Sequence, residues 1–152
     1  MIILADTRQK CSKHNNIETY CKANGITLIP TALQVGDYML PNGKCAIDTK
    51  ATILECVCDL YNDKKSLNKK YRKCYEQGIK LIVLVEEEIS SLQELCKWKS
   101  KHTKINGRML LDLIHTLQIS YGIKFKFCNK KDTGEVLVGL LADNQAVEPR
   151  NK

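Results

Sequence analysis

Two acids and a lysine stand around a turn in "VGDYMLPNGKCAIDTK", Val35 to Lys50. Asp37 precedes Pro41-Asn42-Gly43, and Asp48 and Lys50 follow it. Pro-Asn-Gly is a strong turn signal, so Asp37–Leu40 and Cys45–Lys50 read as a β-hairpin. A three-residue loop over 41–43 would pair Leu40 with Lys44, Tyr38 with Ala46 and Asp37 with Ile47. A four-residue loop over 41–44 pairs Leu40 with Cys45, Tyr38 with Ile47 and Asp37 with Asp48. The second sets apolar opposite apolar, and the pattern favours it. It also sets two carboxylates face to face, with Cβ atoms roughly 4.5–5.5 Å apart. Lys50 shares the face of Asp48, because strand side chains alternate with period two.

Facing carboxylates destabilise a bare hairpin by something like 0.2–1 kcal/mol. A divalent cation reverses that sign by taking both as ligands. Mg²⁺ favours such a set: one or two carboxylates, with waters and phosphate oxygens. Beside it, Lys50 would orient or deprotonate an attacking water, or neutralise charge on a phosphate. The plainer reading is an exposed acidic hairpin balanced by a nearby lysine. It stands beside the first, because D-x(10)-DxK alone is a weak pattern.

The elements that would carry the hairpin follow from local signals. Ile2–Ala5 reads as a short buried strand running into Asp6. Ser12 can cap a helix to about Ala23, which Asn24-Gly25 ends. Ile26–Ile29 is strand-like. Ala51–Tyr61 is helical, with Ile53, Leu54, Val57 and Leu60 on one face, and a Lys-rich helix over about Leu67–Gln77 closes at Gly78. Ile79–Val85 is a buried strand, Ser90–Trp98 a short helix and "KSKHTKING" a polar loop. Gly107–Tyr121 carries Leu110, Leu113, Ile114 and Leu117 on one stripe, which is either core or a homodimer face. Ile123–Cys128 is a strand, and Thr133–Leu141 a strand or a helix. Strands alternating with helices predict one α/β domain with a central mixed β-sheet flanked by helices. It spans 1–141, with a polar tail over 142–152.

The 152 residues suffice for one core, and 43% hydrophobic content predicts a globular chain. No run approaches the roughly 18 apolar residues of a membrane span. "MIILADTRQK" has no basic n-region and no long h-region, so it does not read as a signal peptide. Cysteines stand at 11, 21, 45, 56, 58, 74, 96 and 128 without a CxxC pair. That spacing argues against a zinc site or a disulfide framework and for reduced, mostly buried thiols in a cytoplasmic protein.

The net charge of +7 is local. Tyr61–Lys80 carries seven Lys/Arg against two acids and Lys97–Arg108 five against none, so these stretches sum to +10 and the remainder to −3. Such clustering fits a polyanion partner; two solvated lysine-rich faces are the alternative. Trp98 could stack on a base, although packing is the commoner role of a single tryptophan.

"DTRQK" after the first strand, "GDYML", "IDTK" and "GIKLIVLVEE" occur in the order seen in ERCC4-type nuclease domains. This family holds the nuclease module of XPF and belongs to the PD-(D/E)xK superfamily. The C-terminal half, "KWKSKHTKINGRMLLDLI" and "YGIKFKFCNKKDTGEVLVGLL", resembles the small phage and prophage branch. The resemblance covers residues 2–141 and implies a restriction-endonuclease-like core. It places the protein in a bacterial cytoplasm or a virus-infected host cell.

Carried across residue by residue, the resemblance makes Asp37 the first acid of the signature, and Asp48 and Lys50 its second acid and lysine. Asp6 and Arg8 match the family's D-x-R. Asp6 would be a further metal ligand, directly or through water, and Arg8 would hold the scissile phosphate with a bidentate fork. Glu55 matches an acid of the phage branch, or else belongs with Asp59 to a solvated helix face. The chain departs from the family at Gln9 and Leu54, where other members have acids. It also departs at Lys64, Ser66-Leu67 and Lys70, where the phage branch has His, Arg-Phe and Glu. These last departures remove the resemblance's support for a site contribution from that helix, and its added charge suits DNA contact.

The implied activity is a Mg²⁺- or Mn²⁺-dependent endonuclease, with Asp37, Asp48 and the Thr49 carbonyl on the metal. Lys69, Lys70, Arg72, Lys73, Lys99, Lys101, Lys104 and Arg108 would contact DNA phosphates, which position DNA without reading sequence. Selectivity would then come from branched, flap or junction shape. The rival reading is a catalytically inactive DNA-binding or scaffolding domain of the same fold.

Overall fold

The structure, a computed structural model, describes residues 1–8 and 15–145; Gln9, the Ser12 cap and most of the polar tail lie outside them. Strands β1 (Ile2–Asp6), β2 (Thr27–Thr31), β3 (Tyr38–Met39), β4 (Cys45–Lys50), β5 (Lys80–Val85) and β6 (Lys124–Phe127) form one sheet, ordered β2-β1-β3-β4-β5-β6. β2 and β1 are parallel, as are β4, β5 and β6, while β3 runs antiparallel to both β1 and β4. The short β3 therefore joins two parallel blocks, and β1 and β4 point the same way.

Each strand's sequence fits its place. β5, "KLIVLV", is buried along nearly its whole length, as expected for a parallel strand covered on both faces. β2 contains Pro30, which an edge strand tolerates because one side needs no ladder donors. β6, "KFKF", alternates exposed lysines with half-buried phenylalanines. Lysines on such an edge discourage pairing with other chains.

The helices are α1 (Asn15–Ala23), α2 (Ile53–Asn62), α3 (Lys64–Glu76), α4 (Leu92–Cys96), α5 (Gly107–Tyr121) and α6 (Thr133–Asp143). On one sheet face, Ala46, Leu81, Val83 and Val85 pack under α2, α3 and α5 through Val57, Leu60, Tyr71, Leu110, Ile114 and Leu117. On the other, Ile3, Tyr38, Ile47, Ile82 and Leu84 pack under α1 and α6 through Ile17, Cys21, Leu137 and Leu141. The stripe Leu110, Ile114, Leu117 is therefore core, and Trp98 packs against the same cluster.

The segment left as strand or helix is the helix α6; its buried Leu137 and Leu141 stand four apart on one helical face. α3 begins at Lys64 rather than near Leu67, because the Asp63 side chain accepts from Ser66 N and caps it. The described cysteines are all free thiols, and burial pushes Cys56 up to about 12. Among the described residues no helix is long and apolar enough to cross a membrane.

The hairpin adopts the four-residue loop: Tyr38 pairs with Ile47 and Met39 with Ala46. Gly43 N donates to Leu40 O at 2.9 Å, and Asn42 takes φ 58° at the third turn position behind Pro41. Those are the residues a type II turn selects. Gly36 enters the hairpin with φ +72°, and a Cβ there would lie 3.0 Å from the Ile47 carbonyl oxygen. Only glycine makes this corner without strain. Gly36→Ala is expected to lower unfolding free energy by about 1–3 kcal/mol, read from urea denaturation; an unchanged midpoint would show that the corner is not fixed.

Candidate active site

Three carboxylates, Asp6, Asp37 and Asp48, stand at one end of the sheet on or beside β1, β3 and β4. Leu4 pairs with Met39, and Met39 with Ala46, so these three side chains share a face. Period two carries that face to Asp6 in β1 and to Asp48 and then Lys50 in β4, while Asp37 lies just before β3, between the two strands. The backbone holds it there: Asp6 N donates to Asp37 O at 2.8 Å, and Asp37 N to Ile47 O at 2.7 Å. The ladder stops at Tyr38. Asp37 does not continue that register to Asp48, the pairing that the four-residue loop predicts: its N–H meets Ile47 O, the partner of Tyr38, and its carboxylate turns to Thr49. Thr49 N and Thr49 Oγ1 donate to Asp37 Oδ2 at 2.8 and 2.7 Å.

Asp48 is 6% exposed. Burial raises its carboxyl above the usual range; Asp37 adds to the rise, while Lys50 and Lys70 oppose it. Lys50 Nζ lies 3.4 Å from Asp48 Oδ2 and 2.6 Å from Asp59 Oδ2 on α2. Burial works against that ammonium, yet Asp48 and Asp59 outweigh it and raise the Lys50 pKa. Lys50 is therefore a fixed, protonated cation.

Asp6 stands on the other side of Asp37. Arg8 Nε donates to its Oδ2 at 3.0 Å, Leu33 N donates to its Oδ1 at 3.1 Å, and the Arg8 guanidinium also donates to Leu33 O. The arginine side chain remains 69% exposed, so it is leashed at one edge and open at the other. Glu55 Oε2 accepts from Ala51 N at 2.7 Å, while Glu55 N donates to Thr52 Oγ1 at 3.0 Å. This reciprocal capping starts α2 directly behind Lys50.

Among the described residues, no three His, Cys, Asp or Glu side chains converge to hold a metal ion by themselves. Asp37 and Asp48, close enough for one charge to act on the other, are the two carboxylates that would hold one. The amide and carbonyl of one strand residue point the same way, so the Thr49 carbonyl lies on the Asp37 side of β4 with its N–H. Two hydrogen bonds from Thr49 orient the Asp37 carboxylate. Two hard carboxylates and a carbonyl, completed by water and phosphate, fit Mg²⁺ or Mn²⁺.

The ERCC4 domain model matches residues 5–140. The chain belongs to the ERCC4 domain family. XPF from Aeropyrum pernix superposes on it with TM-score 0.70 at 20% identity, over 93% of this chain and 63% of that one. XPF from Aeropyrum pernix in complex with DNA gives TM-score 0.68 at 19% identity, over 98% of this chain and 68% of that one. The mixed six-stranded sheet flanked by helices is thus the restriction-endonuclease-like fold of the XPF nuclease domain. This ERCC4 domain spans about 63% of the length of the first archaeal chain. No curated protein matches its sequence.

Asp6, Arg8, Asp37, Asp48, Thr49, Lys50 and Glu55 of this ERCC4 domain fall along one end of the sheet. The basic residues divide. Lys70 Nζ is 4.0 Å from Asp48 Oδ2, so α3 does reach the site, contrary to what its departures from the family suggest. Lys69, Arg72 and Lys73 on the same helix are exposed. Lys99, Lys101, Lys104 and Arg108 are exposed on the α4–α5 loop and the start of α5, and among the described residues none pairs with a site carboxylate.

Two acids escaped the sequence reading. Asp59, which the sequence places on a solvated helix face in one of two readings of Glu55, holds Lys50 at 2.6 Å; its spacing of four from Glu55 is the available signal. Glu86 is buried on the opposite sheet face, and its N–H donates to Lys50 O at 2.8 Å. Its place in "VEEE" hides which glutamate is buried.

Thr49→Val keeps the shape but removes the hydroxyl that holds Asp37. Loss of this partly buried hydrogen bond to a carboxylate is expected to lower stability by about 1.5 kcal/mol, measured by urea denaturation. An effect below the resolution of that measurement would contradict the assigned bond.

Proposed function

We propose that this ERCC4 domain is a divalent-metal-dependent endodeoxyribonuclease selective for DNA structure, acting in a cytoplasm. The observation that carries this reading is the buried Asp48 beside Asp37, with a protonated Lys50 pinned between Asp48 and Asp59. Mg²⁺ or Mn²⁺ would be held by Asp37, Asp48 and the Thr49 carbonyl, with Asp6 reaching it through water. When bound, it supplies an acidified water and offsets charge on the leaving oxygen.

The chain's own groups do the rest. Lys50, charged and held from two sides, orients the attacking water and neutralises phosphate charge; its raised pKa makes it a poor base. Arg8 presents an open guanidinium edge to the scissile phosphate, while Asp6 fixes its angle. Glu55 sets the turn from Lys50 into α2. Lys69, Lys70, Arg72 and Lys73 on α3, with Lys99, Lys101, Lys104 and Arg108, contact backbone phosphates. A positive surface without base readout leaves DNA shape as the source of selectivity. The archaeal XPF solved with DNA supports DNA as the partner.

A second reading is favoured by the two ammonium groups already facing Asp48: a DNA-binding domain without catalysis. Cleavage of flap, junction and duplex DNA, with Mg²⁺ and with chelator, separates the two. Metal-dependent nicking of branched DNA that falls at least about 10²-fold in Asp48→Ala is expected, the scale of losing a charge-stabilising group. Activity retained in Asp48→Ala would overturn the assignment. Asp59→Asn is expected to lower kcat with little change in KM, because Asp59 positions Lys50 and does not touch substrate.

A further inference from the structure

Asp48 Oδ2 faces two ammonium groups that are held differently. Lys50 is 15% exposed in its side chain and anchored from behind by Asp59 at 2.6 Å. Lys70 is 40% exposed and lies 4.0 Å from Asp48 Oδ2, too far for a hydrogen bond. Among the described residues, Asp48 is the only acid within ion-pair distance of Lys70. Its stem rises from α3 next to Tyr71, which is fully buried in the core, so the helix is fixed while the ammonium stands half-exposed. Asp37 adds a second negative charge to the same site. The site's negative charge therefore attracts a cation, and the chain supplies a loosely tethered one.

We propose that Lys70 is a built-in counter-cation of the candidate metal site: its ammonium balances Asp48 until a divalent ion displaces it. The inference rests on the metal-dependent reading above. Metal and Lys70 compete for one carboxylate, because a unit positive charge a few ångströms from a divalent ion repels it. Two consequences follow. The apo site is held near neutrality, which spares the sheet the repulsion of adjacent carboxylates. Metal entry releases Lys70 toward the exposed face of α3, where Lys69 and Arg72 stand, and adds a cation to the surface that meets phosphate. Lys70 is then a positioning residue whose effect on metal has the opposite sign to that of a ligand.

The test is Mn²⁺ binding to the DNA-free protein, followed by electron paramagnetic resonance of the free ion, in wild type, Lys70→Met, Lys70→Arg and Asp48→Asn. Lys70→Met keeps the stem and removes the charge. It is expected to bind Mn²⁺ on the order of tenfold more tightly than wild type, the scale of one monovalent–divalent repulsion at short range in a water-like dielectric. Lys70→Arg should stay near wild type, and Asp48→Asn should lose binding. Binding seen in Lys70→Met and not in wild type would support the same competition in a stronger form. If Asp48→Asn loses Mn²⁺ while Lys70→Met matches wild type, Lys70 does not compete and the inference is overturned, with the metal reading intact. If neither wild type nor Lys70→Met binds Mn²⁺, the metal reading fails and this inference with it.

Discussion

A carboxylate withdrawn from water must be balanced by cations or donors, and Asp48 is the buried acid on which the candidate site turns. It sits in β4, which is buried along nearly its whole length, and its neighbours answer its charge in order of distance. Lys50 stands on the same strand face, Lys70 comes from α3, and Asp59 on α2 keeps Lys50 in place. Removing one partner from such a group leaves the others miscompensated, so the helices over this face are constrained by electrostatics as well as by packing.

The topology makes that balance possible. Because β3 is antiparallel to both β1 and β4, those two strands run together and end on the same edge. Asp6 and Asp48 then stand at the same end of the sheet, with Asp37 between them at the entry to β3. Gly36 supplies the left-handed corner before Asp37, and Thr49 clamps the Asp37 carboxylate from the neighbouring strand. Asp63 ends α2 and caps α3 at once, which starts α3 early enough to bring Lys70 over Asp48. The carboxylate pair, its lysine and its counter-charges thus depend on a few short-range choices in the chain.

The hairpin register was legible because only one loop length pairs both Leu40 and Tyr38 with apolar partners; its extension to Asp37 opposite Asp48 was not, because Asp37 leaves the ladder and bonds to Ile47 O. α5 was legible to its ends, since its stripe has helical period and Asn106 and Gly122 cap it. The run "GEVLVGLL" was not: it is apolar at most positions, so neither a period of two nor of 3.6 emerges, and burial of Leu137 and Leu141 had to decide it. The placement of Lys70 and Asp59 was illegible for a different reason. Which face a helix turns toward a strand end is set by packing, here of Tyr71, Val57 and Leu60, and a local pattern shows the face without showing what lies opposite. Asp59 and Lys70 look like solvated charges until β4 is placed beneath them.

The account's central claim is that Asp37 and Asp48 act as one cation site with Lys50 alongside. A crystal of the protein soaked in Mn²⁺ and measured at the manganese absorption edge tests it most directly. The account predicts one anomalous peak within ligand distance of both carboxylates and the Thr49 carbonyl, with Lys50 still bridging Asp48 and Asp59. A peak elsewhere, with Asp37 and Asp48 bound only to protein donors, would contradict it.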